Sequence, residues 1–391
     1  MVLSGTALKV KAFPSPDVTW PASTPTWRTV GDSWFSSRIS SSAAEEKTVD
    51  TSGTEEEFDI VAMCGTHEAK ITVTIFTVEV THMVFYGSSP DCYSLKASST
   101  GANINIPEVT PAGGDKKVLF GANKNISVKV RMITDPSVTI SGVKVKSDVT
   151  GYDISELSET SVSFSNGVSC GSSIGSTNGF VIFNAKNKSK NSIGKDIASF
   201  AWKFIGESNY TLSSPKSLNT ISEVTIYTIL DAPKGPWSGN PAWINALDFA
   251  IITCGANGKG ADAAMAQITT VLRGITYPFN GDGVCFVGQN FSYTTYMNRN
   301  LANCYDQAMG LSTTFRLIGI NATPIEKSQF FGYDFHCFVV VNSSGIDYVY
   351  DSTHGMTHDG LIPIKIPKSD FVARGNPGLG SVERILDYSI Q

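Results

Sequence analysis

Hydrophobic and polar residues alternate with a period of two through much of the chain before residue 235. The clearest segments are 70–80 and 125–130, and shorter ones follow at 138–140 and 143–145. Gly, Pro, Asn and Asp separate them. Such alternation between turn residues is typical of antiparallel sheets that bury one face. The first part of the chain is therefore predicted to be all-β and built from sandwiches.

Helical spacing replaces this alternation after residues 231–237, where prolines and a glycine predict a linker. Asn240 and Pro241 predict the N-cap and the first position of a helix that Gly255 ends. A second helix is predicted over 260–273. Strand-type segments return from residue 335 onward. Helices followed by an antiparallel sheet predict an α+β domain.

A third predicted helix begins with a cysteine. Apolar residues recur at helical spacing from Cys304 to Phe315, and Gly319 would end the helix. Asn303 suits the N-cap, and Asp306 could reach back to it as in a capping box. Unpaired backbone N–H groups and the helix dipole at this end lower a thiol pKa and can stabilise an oxyanion. Cys304 is therefore a candidate nucleophile.

Two strand-type segments near the C-terminus flank the turn residues 342–345 and predict a hairpin. With the turn centred between Ser343 and Ser344, His336 would lie directly opposite Asp351. With the pairing shifted by two residues, the two would be diagonal neighbours on the same face. Both registers keep the imidazole and the carboxylate within reach of each other.

Cys304, His336 and Asp351 thus follow one another in an order that suits thiol catalysis. We predict Cys304 as nucleophile, His336 as the general base that takes its proton, and Asp351 as the carboxylate that orients the imidazole. The structural alternative is a buried thiol on an apolar helix beside a His–Asp pair that holds the sheet together.

Four runs stand out in the C-terminal part: VLRGITY at 271–277, NCYDQA at 303–308, FRLIGI at 315–320, and DFHCFV at 334–339 followed by YDST at 350–353. Together they resemble the transglutaminase-like superfamily, whose fold is related to that of papain. The resemblance covers about residues 260–355 and implies the same three roles for the same three residues.

This chain departs from the family pattern at several aromatic positions. Tyr305 replaces the tryptophan that follows the cysteine in many crosslinking members, and Phe338 replaces the tryptophan two residues after the histidine. Ala302 replaces a glycine, and no tryptophan follows Trp243. Because crosslinking members wall their substrate tunnel with tryptophans, these differences favour hydrolysis over acyl transfer to lysine.

Three functions remain open on this reading. The first is a cysteine hydrolase of the peptidase or amidase type that cleaves an amide bond of a peptide or protein through a thioester. The second is a protein-glutamine acyltransferase or deamidase, and the third is a non-enzymatic surface or adhesion module on the same scaffold. As second oxyanion donor beside the Cys304 N–H we choose Gln289, from the amide side chains upstream of the nucleophile.

The predicted domains are an Ig-like sandwich at 1–82, a second β-sandwich at 83–232 and the transglutaminase-like domain at 233–391. The end of the first resembles the last hairpin of bacterial Ig-like modules. These β domains are expected to act as spacers or to bind a surface or protein partner. A secreted or cell-surface bacterial protein is expected, although no signal-peptide pattern is visible.

Composition excludes several other classes of function. The net charge is −5 without a basic run, so nucleic acid is not an expected partner, and no segment approaches the apolar length of a membrane span.

No calcium-type loop and no Cys-x-x-Cys pair occurs. His354, His358 and Asp359 have side chains that can bind a metal ion. Gly355 lies between the two histidines and favours a turn over a helix that would align them, so we predict no metal there. We predict no cofactor either. Six further cysteines permit disulfides without requiring them.

Overall fold

We analysed a computed structural model of the 391-residue chain. It describes residues 2–3, 8–11, 25–30, 46–49, 57–86, 92–104, 108–111, 113–114, 116–170, 179–207, 210–275, 285–287, 289–299, 301–331, 333–353, 363–375 and 381–391.

The described chain is mostly β, and every regular element before residue 235 is a strand. The strands of this part are Val2–Leu3, Leu8–Lys11, Thr26–Val30, Glu46–Val49, Glu57–Cys64, His67–Tyr86, Cys92–Tyr93, Leu95–Lys96, Asn103–Ile104, Glu108–Thr110, Gly113–Gly114, Lys117–Gly121, Ser127–Asp135, Ile140–Thr150, Glu156–Ser165, Val168–Cys170, Phe180–Asn184, Gly194–Glu207 and Tyr210–Ile229.

One long strand, His67–Tyr86, links the first two predicted domains. Its first half pairs antiparallel with Glu57–Cys64, and residues 77–86 pair antiparallel with Ser127–Asp135. Buried and partly exposed residues alternate along Ser127–Asp135, as expected for a strand with one face in the core. The predicted boundary after residue 82 therefore falls inside a continuous strand, and residues 77–86 pair with the second β unit.

Helices and short strands follow the linker. The helical segments are the 3₁₀ turn Gly235–Trp237, the helix Ile244–Asp248 with the π-helical turn Phe249–Thr253, and the helices Ala261–Arg273, Tyr293–Met297, Cys304–Leu317 and Lys368–Arg374. The strands are Ala242–Trp243, Phe286–Val287, Asn290–Phe291, Ala322–Phe330, Tyr333–Ser343, Ile346–Tyr350, Ile366–Pro367, Glu383–Ile385 and Ser389–Ile390.

The first helix begins later than predicted. Asn240 and Pro241 do not start it, because the next residues, Ala242–Trp243, pair as a parallel strand with Leu95–Lys96 of the β part. The helix begins at Ile244 instead. Tertiary pairing thus overrides a favourable local N-cap signal at this point.

Five strands of the C-terminal part form one antiparallel sheet. Their order is Ile366–Pro367, Ile346–Tyr350, Tyr333–Ser343, Ala322–Phe330 and Glu383–Ile385. We call Tyr333–Ser343 the His336 strand and Cys304–Leu317 the Cys304 helix. The Cys304 helix packs on one face of this sheet through apolar side chains that include Phe315, Val339 and Val341.

The second β unit and the C-terminal part share one hydrophobic core. Tyr227 and Ile229 of the last long strand lie in the same buried cluster as Leu311 of the Cys304 helix. The Leu230 N–H donates to the Ile318 carbonyl at 3.0 Å. The Cys304 helix is therefore anchored on one side by the sheet and on the other by the β unit. No helix among the described residues is long and apolar enough to cross a membrane.

Candidate active site

Cys304 is the first residue of its helix. The side chain of Asn303, the N-cap, accepts a hydrogen bond from the Asp306 N–H at 2.9 Å, as predicted. The Asp306 carboxylate does not complete a capping box, because its Oδ1 accepts from the Cys285 N–H at 2.7 Å instead. It thereby ties the loop before the site to the first helical turn. Cys304 itself is 5% exposed.

His336 and Asp351 form a buried hydrogen-bonded pair. His336 Nε2 lies 2.8 Å from Asp351 Oδ2, and the two residues are 3% and 2% exposed. Because an ionised carboxylate only accepts, Nε2 carries the proton and Nδ1 is the nitrogen left for the thiol. Asp351 Oδ1 accepts from the Thr353 N–H at 2.8 Å.

The register of the hairpin explains how this pair is positioned. Val339 pairs with Tyr350 and Ser343 with Ile346, so the turn consists of Ser344 and Gly345. The directly opposed register was wrong, and the observed pairing is the two-residue shift that makes His336 and Asp351 diagonal neighbours. Ser344 and Gly345 have φ values of 53° and 84°, as a two-residue hairpin turn with a left-handed backbone requires.

Aromatic side chains surround the imidazole. The rings of Phe330, Phe331 and Phe338 lie 6.4, 5.8 and 6.4 Å from His336, measured between ring centroids. Phe371 packs against these three phenylalanines. This apolar wall shields the His336–Asp351 hydrogen bond from water and so strengthens it.

Cys337 is the contact that sequence reasoning missed. It follows His336, is 1% exposed, and interacts with Cys304 through its side chain and its main chain, both of which lower the pKa of the Cys304 thiol. Cys337 alternates with Val339 and Val341, which pack against the Cys304 helix, so strand geometry places it on the helix side of the sheet. Treating Cys337 only as a possible disulfide partner overlooked that position. All seven cysteines are free.

These contacts shift the pKa values of the thiol and the imidazole in opposite directions. The hydrogen bond from the Cys337 thiol is the main cause that lowers the pKa of Cys304 to about 5; burial opposes it, and the His336 hydrogen bond and charge add to it. Burial disfavours the imidazolium, but the Asp351 charge and hydrogen bond, together with Cys304, raise the pKa of His336 to about 10. A thiolate–imidazolium pair is therefore favoured near neutral pH.

Arg273 is a second supporting residue that the sequence did not single out. Its Nε donates to the main-chain carbonyl of Asp351 at 2.8 Å. Arg273 is the last residue of its helix, Ala261–Arg273, so this bond ties Asp351, which follows the strand Ile346–Tyr350, to the end of that helix. Burial lowers the pKa of Arg273, and the nearby Asp351 charge opposes that shift.

Gln289, predicted as the second oxyanion donor, is exposed on the turn between the strands Phe286–Val287 and Asn290–Phe291. Its main-chain carbonyl accepts from the Ser389 N–H at 2.9 Å. None of the described hydrogen bonds joins its side chain to Cys304, His336 or Asp351, so its role stays a prediction.

The described residues contain no group of three or more His, Cys, Asp or Glu side chains arranged to hold a metal ion. His354, His358 and Asp359, weighed above as metal ligands, lie outside the described residues.

No protein-family model matches this chain, and no curated protein sequence matches it. Among solved structures, a tandem of titin Ig domains is 13% identical, covers 58% of this chain and 92% of its own, and has a TM-score of 0.15. A candidate cysteine protease from Cytophaga hutchinsonii is 12% identical, covers 81% of this chain and 92% of its own, and has a TM-score of 0.25. TM-scores this low support no conclusion about the fold or the function of this chain.

Proposed function

We propose that the chain is a thiol-dependent hydrolase that cleaves an amide bond of a peptide or protein through a thioester. Cys304 is the nucleophile, His336 the general base and Asp351 the orienting carboxylate. The observation that carries the proposal is the buried 2.8 Å hydrogen bond between His336 Nε2 and Asp351 Oδ2, on an imidazole that also interacts with Cys304, the first residue of its helix. A thiol placed in this way is an activated nucleophile.

Catalysis starts from the Cys304 thiolate and the His336 imidazolium. The thiolate attacks the carbonyl carbon of the scissile amide, and the N–H groups at the start of the Cys304 helix stabilise the oxyanion. His336 then gives its proton to the leaving amine. The neutral imidazole next takes a proton from water, and the resulting hydroxide attacks the thioester carbonyl. The tetrahedral intermediate then releases a carboxylic acid and the Cys304 thiolate, which restores the starting ion pair with the His336 imidazolium. Asp351 keeps the Nε2 proton in place throughout.

We extend the proposal to the domains, from the resemblance of the C-terminal part to the transglutaminase-like superfamily and of the N-terminal part to Ig-like modules. On that basis residues 233–391 are a catalytic domain of papain-related fold, and the β units are spacers or modules that bind a surface or protein partner. A secreted or cell-surface location in a bacterium is part of the same proposal.

The decisive experiment is the pH dependence of Cys304 alkylation by iodoacetamide, followed by mass spectrometry of the Cys304 peptide. We expect rapid labelling at pH 6 in the wild type and a shift of the labelling pKa toward the ordinary thiol value of ~8.5 in His336→Ala. Cys254, whose pKa burial raises to about 12, is an internal control in the same samples. Slow labelling with an ordinary pKa, unchanged by the mutation, would falsify the proposal.

The acceptor is tested separately, on peptides of a protein digest incubated with the wild type and with Cys304→Ala. Hydrolysis gives new carboxyl termini, whereas acyl transfer joins an added dansylated amine to a peptide. We expect the first product only, and its loss in Cys304→Ala. Incorporation of the dansylated amine that depends on Cys304 would show that the enzyme is an acyltransferase and not a hydrolase.

A further inference from the structure

An exposed aromatic ring contacts the residue that follows the candidate nucleophile. Phe335 precedes His336 in the His336 strand and is 41% exposed. Its ring centroid lies 5.1 Å from that of Tyr305, and the two ring planes are inclined by 52°. Tyr305 is the residue after Cys304. The two rings, which we call the aromatic pair, therefore flank the nucleophile and the base in sequence and contact each other in space.

The face of the sheet explains why this ring is close to the reacting sulfur. Phe335 and Cys337 are two residues apart in a strand, so their side chains point to the same face, about 7 Å apart along it. Cys337 hydrogen-bonds the sulfur of Cys304 and is buried, as is Val339 beyond it. Phe335 is exposed, so the face opens toward solvent at the Cys304 end.

The charges next to the aromatic pair compensate one another. The Tyr305 hydroxyl donates to Glu326 Oε2. The same carboxylate pairs with Arg384 Nη2 at 2.8 Å. The Glu326 carboxylate is only 17% exposed, so it offers little attraction for a positively charged substrate. The Glu326 charge beside the aromatic pair is therefore compensated, and the exposed Phe335 ring is the apolar surface at this point.

We propose that the aromatic pair is the subsite for a large apolar side chain of the substrate, best an aromatic one, on the residue adjoining the scissile carbonyl. This inference rests on the proposed function, since it requires Cys304 to be the nucleophile. A substrate ring set against Phe335 covers its exposed surface and adds an offset or edge-to-face contact to those rings.

The test compares two alkylating reagents of the same chemistry, N-benzyl iodoacetamide and N-methyl iodoacetamide. Second-order rate constants for Cys304 are measured by mass spectrometry at pH 6, and each is divided by the rate constant for glutathione to remove intrinsic reactivity. We expect a benzyl-to-methyl ratio of about ten in the wild type, from the stacking and apolar burial of one ring. The ratio should fall to about one or two in Phe335→Ala and lie between these values in Phe335→Leu.

Ile346→Ala is the matched control. Ile346 is 50% exposed at the far end of the same hairpin, and its removal should leave the ratio unchanged. A benzyl-to-methyl ratio near one in the wild type, or a ratio that Phe335→Ala does not change, overturns the subsite. If N-methyl iodoacetamide still labels Cys304 rapidly, the proposed function stands. Slow labelling of Cys304 by both reagents overturns the proposed function and the subsite with it.

Discussion

Cys337 follows His336 directly in the strand, and its buried side chain is the main cause that lowers the pKa of Cys304. Two consecutive residues therefore act on one nucleophile, because His336 lowers the same pKa. The Cys337 thiol remains protonated, since burial and the neighbouring Cys304 sulfur raise its pKa far above the ordinary range. Cys337 is thus a permanent donor to the Cys304 thiolate.

Cys337→Ala should raise the pKa of Cys304 by about one to two units. The mutation removes one hydrogen bond to a charged acceptor, worth ~1.5–3 kcal/mol, and one pKa unit corresponds to ~1.4 kcal/mol. Alkylation should slow at pH 6 and be unchanged at pH 9, where the thiolate predominates in both proteins. Cys337→Ser keeps a donor of similar size and should keep the low pKa. Equal pH profiles for Cys337→Ala and the wild type would rule out this role of the thiol.

The pH dependence of turnover should be bell-shaped. Activity rises as pH passes about 5, because Cys304 ionises there, and falls as pH passes about 10, because His336 then loses the proton that the leaving amine needs. The profile of kcat/KM against pH reports both groups in the free enzyme. A profile that rises only near the ordinary thiol pKa of ~8.5 contradicts the ion pair.

Asp351→Asn should reduce turnover strongly, by about 10²–10⁴-fold, without abolishing it. The Asp351 charge is the largest of the causes that raise the pKa of His336. An amide keeps an acceptor for Nε2–H but removes that charge, so the descending limb of the pH profile should move to lower pH. Asp347→Asn, in the same hairpin, is the control because Asp347 Oδ1 contacts only its cross-strand partner Asn342 in the described hydrogen bonds. An unmoved descending limb in Asp351→Asn would assign Asp351 a structural role alone.

Local signals in the sequence predicted the elements that bear the candidate site. Asn303 fixes the start of the Cys304 helix, and the aromatic and β-branched residues after Asp334 predict the His336 strand. The turn centre was misplaced because a short polar run offers several equivalent turns. Sequence alone does not show that Ser344 adopts a positive φ beside Gly345.

Contacts between distant segments were beyond sequence reasoning. The parallel pairing of Ala242–Trp243 with Leu95–Lys96 displaced a helix start that the local N-cap signal supports. The bond from Arg273 to the Asp351 carbonyl joins residues 78 apart in the chain. Gln289 was chosen for its amide side chain and its position upstream of Cys304, but neither property determines where a loop side chain points.

Gly319→Ala should destabilise the attachment of the Cys304 helix. Gly319 follows that helix with a φ of +93°, and an added Cβ would lie 2.3 Å from the Asp231 carbonyl oxygen. Gly345 has a similar φ of +84° but no atom within 4 Å of an added Cβ, so Gly345→Ala isolates the backbone strain. We expect losses of about 1 kcal/mol for Gly345→Ala and about 2–4 kcal/mol for Gly319→Ala, measured from urea unfolding. Equal losses of unfolding free energy in both variants would mean that the linker around Asp231 moves aside at no energetic cost. The contact with Gly319 would then not fix the Cys304 helix.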